Sequence, residues 1–107
     1  MAEQSKSEAD VHLAVVKAEI ARLLKQRFNG TDFRCFFFGS RVEGKNRERS
    51  DIDVGIMGSR KLTLEELDEV REEMRRINTL LKIDVIDFRQ TYQDFRDVAL
   101  QHSEEIR

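Results

Sequence analysis

Apolar residues in the first part of the chain recur at steps of three and four, which is typical of a helix with one buried face. The pattern predicts a helix over 7–28 that ends near Asn29 and Gly30, since glycine readily adopts a C-cap conformation. Ser5 and Glu8 have the spacing of a capping box at its start. The apolar positions of this helix are Leu13, Val16, Ile20, Leu23 and Leu24.

Three short apolar segments, 33–38, 51–57 and 82–88, predict buried strands. The segment 41–50 between the first two is densely charged, and we interpret it as a short helical connection.

Two further helices follow from the same periodicity. Thr63 and Glu66 form a capping-box pattern ahead of an apolar repeat that reaches Ile77. A last helix is predicted from about Thr91. Its apolar face would carry Tyr92, Phe95, Val98 and Ala99, with His102 on the same stripe. The order of elements predicts an α/β fold, a small mixed β-sheet with helices packed against it, in a single domain over 1–107.

Composition narrows the classes of function. The chain has 107 residues, is 39% hydrophobic and carries a formal charge of −2. Because it has no basic excess, we expect no direct nucleic-acid binding. The single cysteine, Cys35, lies in an apolar run and is expected to be a buried thiol. The chain shows no signal peptide and no stretch long enough to span a membrane, so we expect a cytoplasmic protein.

A pair of aspartates carries the first sign of chemistry. Asp51 and Asp53 stand two apart on a predicted strand and should therefore project from the same face. Two carboxylates so close together repel each other unless a cation neutralises them. Hard oxygen ligands of this kind suit Mg²⁺. The pair therefore predicts a metal site.

A third carboxylate is offered by the next strand, which contains Asp84 and Asp87. These two residues are three apart and must face opposite sides of the sheet, so that only one can join the site. Asp84 lies inside the apolar run, where a lone carboxylate would be costly. Asp87 lies near the strand end, where it is expected to reach water. We therefore predict Asp84 as the third carboxylate of the metal site.

Gly39 and Ser40 end the first strand at the entrance to the charged segment. Free amides at a helix start favour a phosphate. Glycine also allows a phosphate to approach the backbone closely. These two residues are candidates to hold a triphosphate, and Arg41 or Lys45 could meet its charge.

The spacing Gly39-Ser40, ten residues, Asp51-x-Asp53 resembles the signature of the DNA polymerase beta-like nucleotidyltransferase superfamily. The sequence over residues 39–54 looks like that of the minimal nucleotidyltransferase branch. Asp84 falls where that branch has its third carboxylate. Glu43 departs from the basic or small polar residue that many relatives carry there.

The resemblance implies metal-dependent nucleotidyl transfer with two Mg²⁺ ions and ATP as the nucleotide donor. Asp51 and Asp53 would bind both ions and Asp84 the catalytic one, while Gly39, Ser40 and Arg41 would hold the nucleoside triphosphate. Minimal nucleotidyltransferases of this kind are commonly paired with HEPN-family toxins. There they act as antitoxins that adenylylate a tyrosine of the toxin.

Two other functions stay open at this point. The chain could be an interaction module that neutralises a partner by binding alone, or a transferase acting on a small molecule such as an antibiotic. Three intact aspartates favour catalysis over binding alone. The short chain leaves little material for an acceptor pocket, which disfavours a self-contained small-molecule enzyme.

Overall fold

The computed structural model describes residues 7–39 and 50–107. Ser5, the expected capping residue, therefore lies outside the described residues. The short helix expected within 41–50 also lies outside them, apart from Ser50. The described elements follow one another as α1 (Glu8–Arg27), β1 (Arg34–Phe38), β2 (Ile52–Met57), α2 (Leu64–Arg75), β3 (Ile83–Asp87), α3 (Gln93–Gln101) and β4 (Ser103–Ile106).

Helix α1 begins where a serine side chain satisfies one of its first free amides. The hydroxyl of Ser7 accepts a hydrogen bond from the backbone amide of Asp10 at 3.1 Å, so Ser7 is the N-cap. The expected cap at Ser5 was two residues too early. After the helix, Gly30 has φ of 81°, a left-handed conformation that glycine adopts without a steric penalty.

Helix α2 begins with the predicted capping box. The Thr63 hydroxyl accepts from the amide of Glu66 at 3.0 Å, and the Glu66 carboxylate accepts from the amide of Thr63 at 2.8 Å. The guanidinium of Arg60 pairs with the same carboxylate at 2.8 Å. This pair and the Thr63 amide lower the pKa of Glu66 to about 2.

The four strands form one mixed sheet in the order β3-β2-β1-β4. Strand β2 runs parallel to β3 and antiparallel to β1, and β1 runs antiparallel to β4. Helix α2 makes the connection that a parallel pair requires. The predicted mixed sheet with packed helices is confirmed, and each of the three predicted strands begins one residue later than expected.

The two faces of the sheet carry separate apolar clusters. The larger cluster packs α1 and α2 against the sheet; its members include Val16, Ile20, Leu24, Val54, Ile56, Val70 and Val85. The smaller cluster lies on the opposite face and comprises Phe36, Phe38, Phe88 and Ala99, with Phe95 beside it. Gly55 belongs to that second face, and an added Cβ there would overlap the ring of Phe88.

The last segment differs from its prediction. Helix α3 ends at Gln101, and the chain then forms β4 along the edge of the sheet. Tyr92 is 88% exposed, and the exposed His102 caps the helix rather than extending an apolar stripe. Only tertiary pairing explains this strand, because Glu104 and Glu105 have little intrinsic preference for β-structure.

The edge strand is held to β1 by an ion pair as well as by its backbone. The guanidinium of Arg34 binds the carboxylate of Glu105 through two hydrogen bonds of 2.9 Å. These bonds lower the pKa of Glu105. Among the residues the structure describes, no helix has the length and apolar character needed to cross a membrane.

Candidate active site

Asp53 is the second residue of β2 and is buried, with 6% of its surface exposed. Its neighbours across the sheet are Phe38 on β1 and Asp84 on β3. Ile52 and Val54 alternate with it and join the larger apolar cluster on the opposite face. The alternation therefore directs Asp53 to the face that carries Phe38.

Asp84 is the register partner of Asp53 on the parallel strand β3. Neighbouring strands lie about 4.8 Å apart, and register partners project from the same face. Asp84 is half-buried. The structure thus brings together two of the three predicted carboxylate residues, with Asp53 and Asp84 side by side on one face.

Asp51 lies just before β2, at the point where this strand meets β3. The amides of Asp51 and Ile52 donate to the carbonyl oxygen of Lys82 at 2.9 and 3.0 Å. In return, the amide of Lys82 donates to the Asp51 carboxylate at 2.9 Å. Asp51 is exposed, and these bonds fix its backbone and its side chain at the same end of the sheet as Asp53 and Asp84.

Ser50 contacts Asp53, and the sequence pattern did not single out this serine as a site residue. Its hydroxyl donates a hydrogen bond to Oδ1 of Asp53, and the serine is half-buried. A hydroxyl three residues before an aspartate is a common arrangement, so spacing alone would not have found it. The sequence indicated only that the strand begins near this serine.

Gly39 directly follows β1, next to Phe38, and is half-buried. Since Phe38 is the antiparallel partner of Asp53, Gly39 lies at the end of the sheet that carries the aspartates. Ser40 and Arg41 lie outside the described residues, as do Glu43 and Lys45. Their predicted roles toward a triphosphate stay predictions.

Asp87 is a buried, hydrogen-bonded residue, and the expectation that it reaches water was wrong. It is only 2% exposed. Its carboxylate accepts from the amide of Leu62 at 2.7 Å, the amide of Arg89 at 2.9 Å and the side chain of Gln90 at 3.2 Å. These donors satisfy the buried carboxylate and tie the end of β3 to the segment that precedes α2.

The carboxylates fit a divalent cation by their chemistry and by their pairing. Asp53 and Asp84 offer hard oxygen donors from one face, the type of ligand that Mg²⁺ prefers. Within 7–39 and 50–107, no three side chains of His, Cys, Asp or Glu form a group that could hold a metal ion. The fit therefore rests on the pair, with the Asp51 carboxylate directed to the Lys82 amide.

A mixed sheet in the order β3-β2-β1-β4, with Asp53 and Asp84 paired where β2 and β3 begin, is the architecture of a polymerase beta-like nucleotidyltransferase core. The chain belongs to the family described as polymerase beta, nucleotidyltransferase, whose model matches residues 18–107.

Among curated proteins, the chain is similar to the "probable protein adenylyltransferase MntA" of Haemophilus influenzae (strain ATCC 51907 / DSM 11121 / KW20 / Rd). The two are 30% identical over 86 residues, which is 80% of this chain and 70% of that protein.

Several solved structures share the fold, among them the following two. One is a tri-AMPylated Shewanella oneidensis HEPN toxin in complex with an MNT antitoxin, with a TM-score of 0.62 and 14% identity. The match covers 88% of this chain and 71% of the other. The second is a toxin–antitoxin structure with AMP-PNP, with a TM-score of 0.56 and 18% identity. Here the match covers 83% and 72% of the two chains.

Proposed function

We propose that this nucleotidyltransferase is a protein adenylyltransferase, the antitoxin of a HEPN toxin–antitoxin pair. It would move AMP from ATP to a hydroxyl of the toxin. The observation that carries this proposal is the register pairing of Asp53 with Asp84 on one face, beside Gly39 at the end of β1. A protein that acted by binding alone would have no need of carboxylates paired in this way.

The acceptor is proposed from the relatives. The Haemophilus influenzae protein is named a probable protein adenylyltransferase, and the Shewanella oneidensis HEPN toxin carries AMP in complex with its antitoxin. Adenylylation adds a bulky, negatively charged group. On a toxin that acts on RNA, such a group would repel the phosphates of the substrate. A tyrosine hydroxyl of the toxin is the acceptor that the family resemblance implies.

The proposed cofactor is a pair of Mg²⁺ ions held by Asp51, Asp53 and Asp84. When bound, such ions would polarise the acceptor hydroxyl and stabilise the departing pyrophosphate. Asp53 and Asp84 support this assignment through their pairing. We include Asp51 because it lies at the same end of the sheet and is held there by the Lys82 backbone.

The proposed reaction is in-line displacement at the α-phosphorus of ATP. A bond forms between the acceptor oxygen and the α-phosphorus, and the bond to the oxygen that bridges to the β-phosphorus breaks. Pyrophosphate leaves, and the hydroxyl proton passes to solvent or to a nearby carboxylate. In this proposal Gly39, Ser40 and Arg41 bind the triphosphate and orient it for the displacement.

We also include a cytoplasmic location in the proposal. It is supported by the lone Cys35, a buried free thiol whose pKa burial raises to about 12. A thiol of this kind takes no part in a disulfide framework of the sort that oxidising compartments favour.

The proposal is tested by transfer of label from α-labelled ATP to a purified HEPN partner in the presence of Mg²⁺. The wild-type chain should label the partner, and Asp84→Asn should not. Asp68→Asn is the matched control, because Asp68 is an exposed aspartate on α2 and should leave transfer unchanged. Equal labelling by wild type and Asp84→Asn would remove Asp84 from the site.

A further inference from the structure

We propose that Ser50 is a positioning residue, whose hydroxyl holds the carboxylate of Asp53 in the orientation that binds a divalent cation. The inference rests on the proposed function, because it assigns Ser50 a role toward the same metal site.

The contact that supports this role joins a residue before the strand to a residue within it. Ser50 precedes β2, and its hydroxyl reaches Oδ1 of Asp53 three residues later. Asp53 itself is 6% exposed, whereas Ser50 is half-buried. The hydrogen bond therefore acts on a carboxylate that bulk water can hardly reach.

The surroundings of Asp53 explain why a neutral donor is useful there. On one side its register partner is the apolar Phe38, and on the other it is the acidic Asp84. A hydroxyl stabilises the negative charge of Asp53 without adding a positive charge that would compete with a cation. It also restricts rotation of the carboxylate, so that less conformational freedom is lost when a cation binds.

The neighbouring aspartate is held in a different way. The carboxylate of Asp51 accepts from the backbone amide of Lys82, which no side-chain substitution removes. The hydrogen bond from Ser50 to Asp53, in contrast, can be removed by a single side-chain substitution. Residues that orient metal ligands commonly contribute about 10- to 100-fold to metal affinity.

The test measures binding of Mn²⁺ alone to the whole chain, followed by loss of the free-ion electron paramagnetic resonance signal. We expect Ser50→Ala to raise the dissociation constant for Mn²⁺ about tenfold or more. Ser50→Thr keeps the hydroxyl and should bind within about threefold of wild type. In transfer assays, Ser50→Ala should raise the Mg²⁺ concentration needed for half-maximal rate, while the KM for the protein acceptor stays unchanged.

Ser103→Ala is the control, because Ser103 is also half-buried and its hydroxyl donates to the carbonyl of Leu100 at 2.9 Å. It should lose a similar hydrogen bond without changing Mn²⁺ affinity. If Ser50→Ala does not fold, Ser50→Cys retains the side-chain volume with a much weaker donor and takes its place.

The outcomes separate the two proposals. Wild-type binding of Mn²⁺ together with equal or tighter binding by Ser50→Ala overturns the role of Ser50 and leaves the metal site standing. A failure of Ser50→Thr to restore affinity also overturns it, since the hydroxyl would then not be the active feature. No Mn²⁺ binding by the wild-type chain overturns both this inference and the proposed metal site.

Discussion

Asp53 and Asp84 are direct register partners on the parallel strands β2 and β3, so their side chains leave the same face of the sheet one strand apart. Two strands that are distant in sequence thereby place carboxylates next to each other. Two carboxylates this close repel each other, and a cation shared between them offsets that repulsion.

The first prediction concerns this repulsion. Asp53→Asn should leave the melting temperature in EDTA unchanged or raise it, because one of two facing charges is removed. The same variant should lose the stabilisation that Mg²⁺ gives to wild type. Thermal melts with and without Mg²⁺ make the measurement. A clear loss of stability in EDTA would indicate that Asp53 serves the fold rather than a metal.

The second prediction concerns nucleotide binding. A ligand that binds only the folded chain stabilises it by about 2.7 kcal/mol at a hundredfold excess over its dissociation constant. MgATP should therefore raise the melting temperature, EDTA should cancel the rise, and Ser40→Ala should reduce it. An unchanged melt and an unchanged amide NMR spectrum at saturating MgATP would contradict nucleotide binding.

The third prediction concerns the packing of the second face. Gly55 lies directly under the ring of Phe88, which is fully buried. Gly55→Ala should destabilise the fold by about 1–3 kcal/mol through overpacking. Phe88→Leu introduces a smaller side chain and should relieve part of that loss in the double variant. Urea unfolding of both single variants and of the double variant measures the free energies of unfolding. Strict additivity of the two losses would mean that Gly55 and Phe88 do not contact each other.

Much of this fold could be predicted because the local and tertiary signals agree. The capping box at Thr63 and Glu66 and the alternation of Ile52, Asp53 and Val54 each follow from spacing alone, and both are present. The pairing of Asp53 with Asp84 could only be inferred as a shared face, since strand register depends on contacts far apart in sequence.

The remaining features depend on contacts that no local pattern contains. Strand β4 is charged and short, and it forms because β1 offers a free edge and Arg34 pairs with Glu105. Asp87 is buried near the end of its strand because its carboxylate accepts from the amide of Leu62, in another part of the fold, as well as from the nearby amide of Arg89. Sequence position suggested exposure, but tertiary hydrogen bonds decided the burial.

The fourth prediction concerns pH. Burial raises the pKa of the Cys35 thiol from 9.0 to about 12, and the charge of Glu105 contributes in the same direction. Between these values the folded chain binds the proton that the unfolded chain releases, so the free energy of unfolding falls as pH rises. The contribution of this thiol is fully present below about pH 9 and should fall by about 2 kcal/mol by pH 10.5.

Urea unfolding of wild type and Cys35→Ala at pH 7, 9 and 10.5 isolates this effect, because all other titrating groups are shared. The wild-type chain should lose more stability across this range than the variant does. Parallel losses would show that the Cys35 thiol titrates alike in the folded and unfolded chains.

Adenylylation of the toxin is tested by the intact mass of a HEPN partner, encoded next to this chain and co-expressed with it. With the wild-type chain, the partner should gain one or more increments of the mass of AMP. With Asp53→Asn, the partner should stay unmodified. A partner that is neutralised by the wild-type chain without any gain in mass would contradict adenylylation and show that the chain inhibits by binding alone.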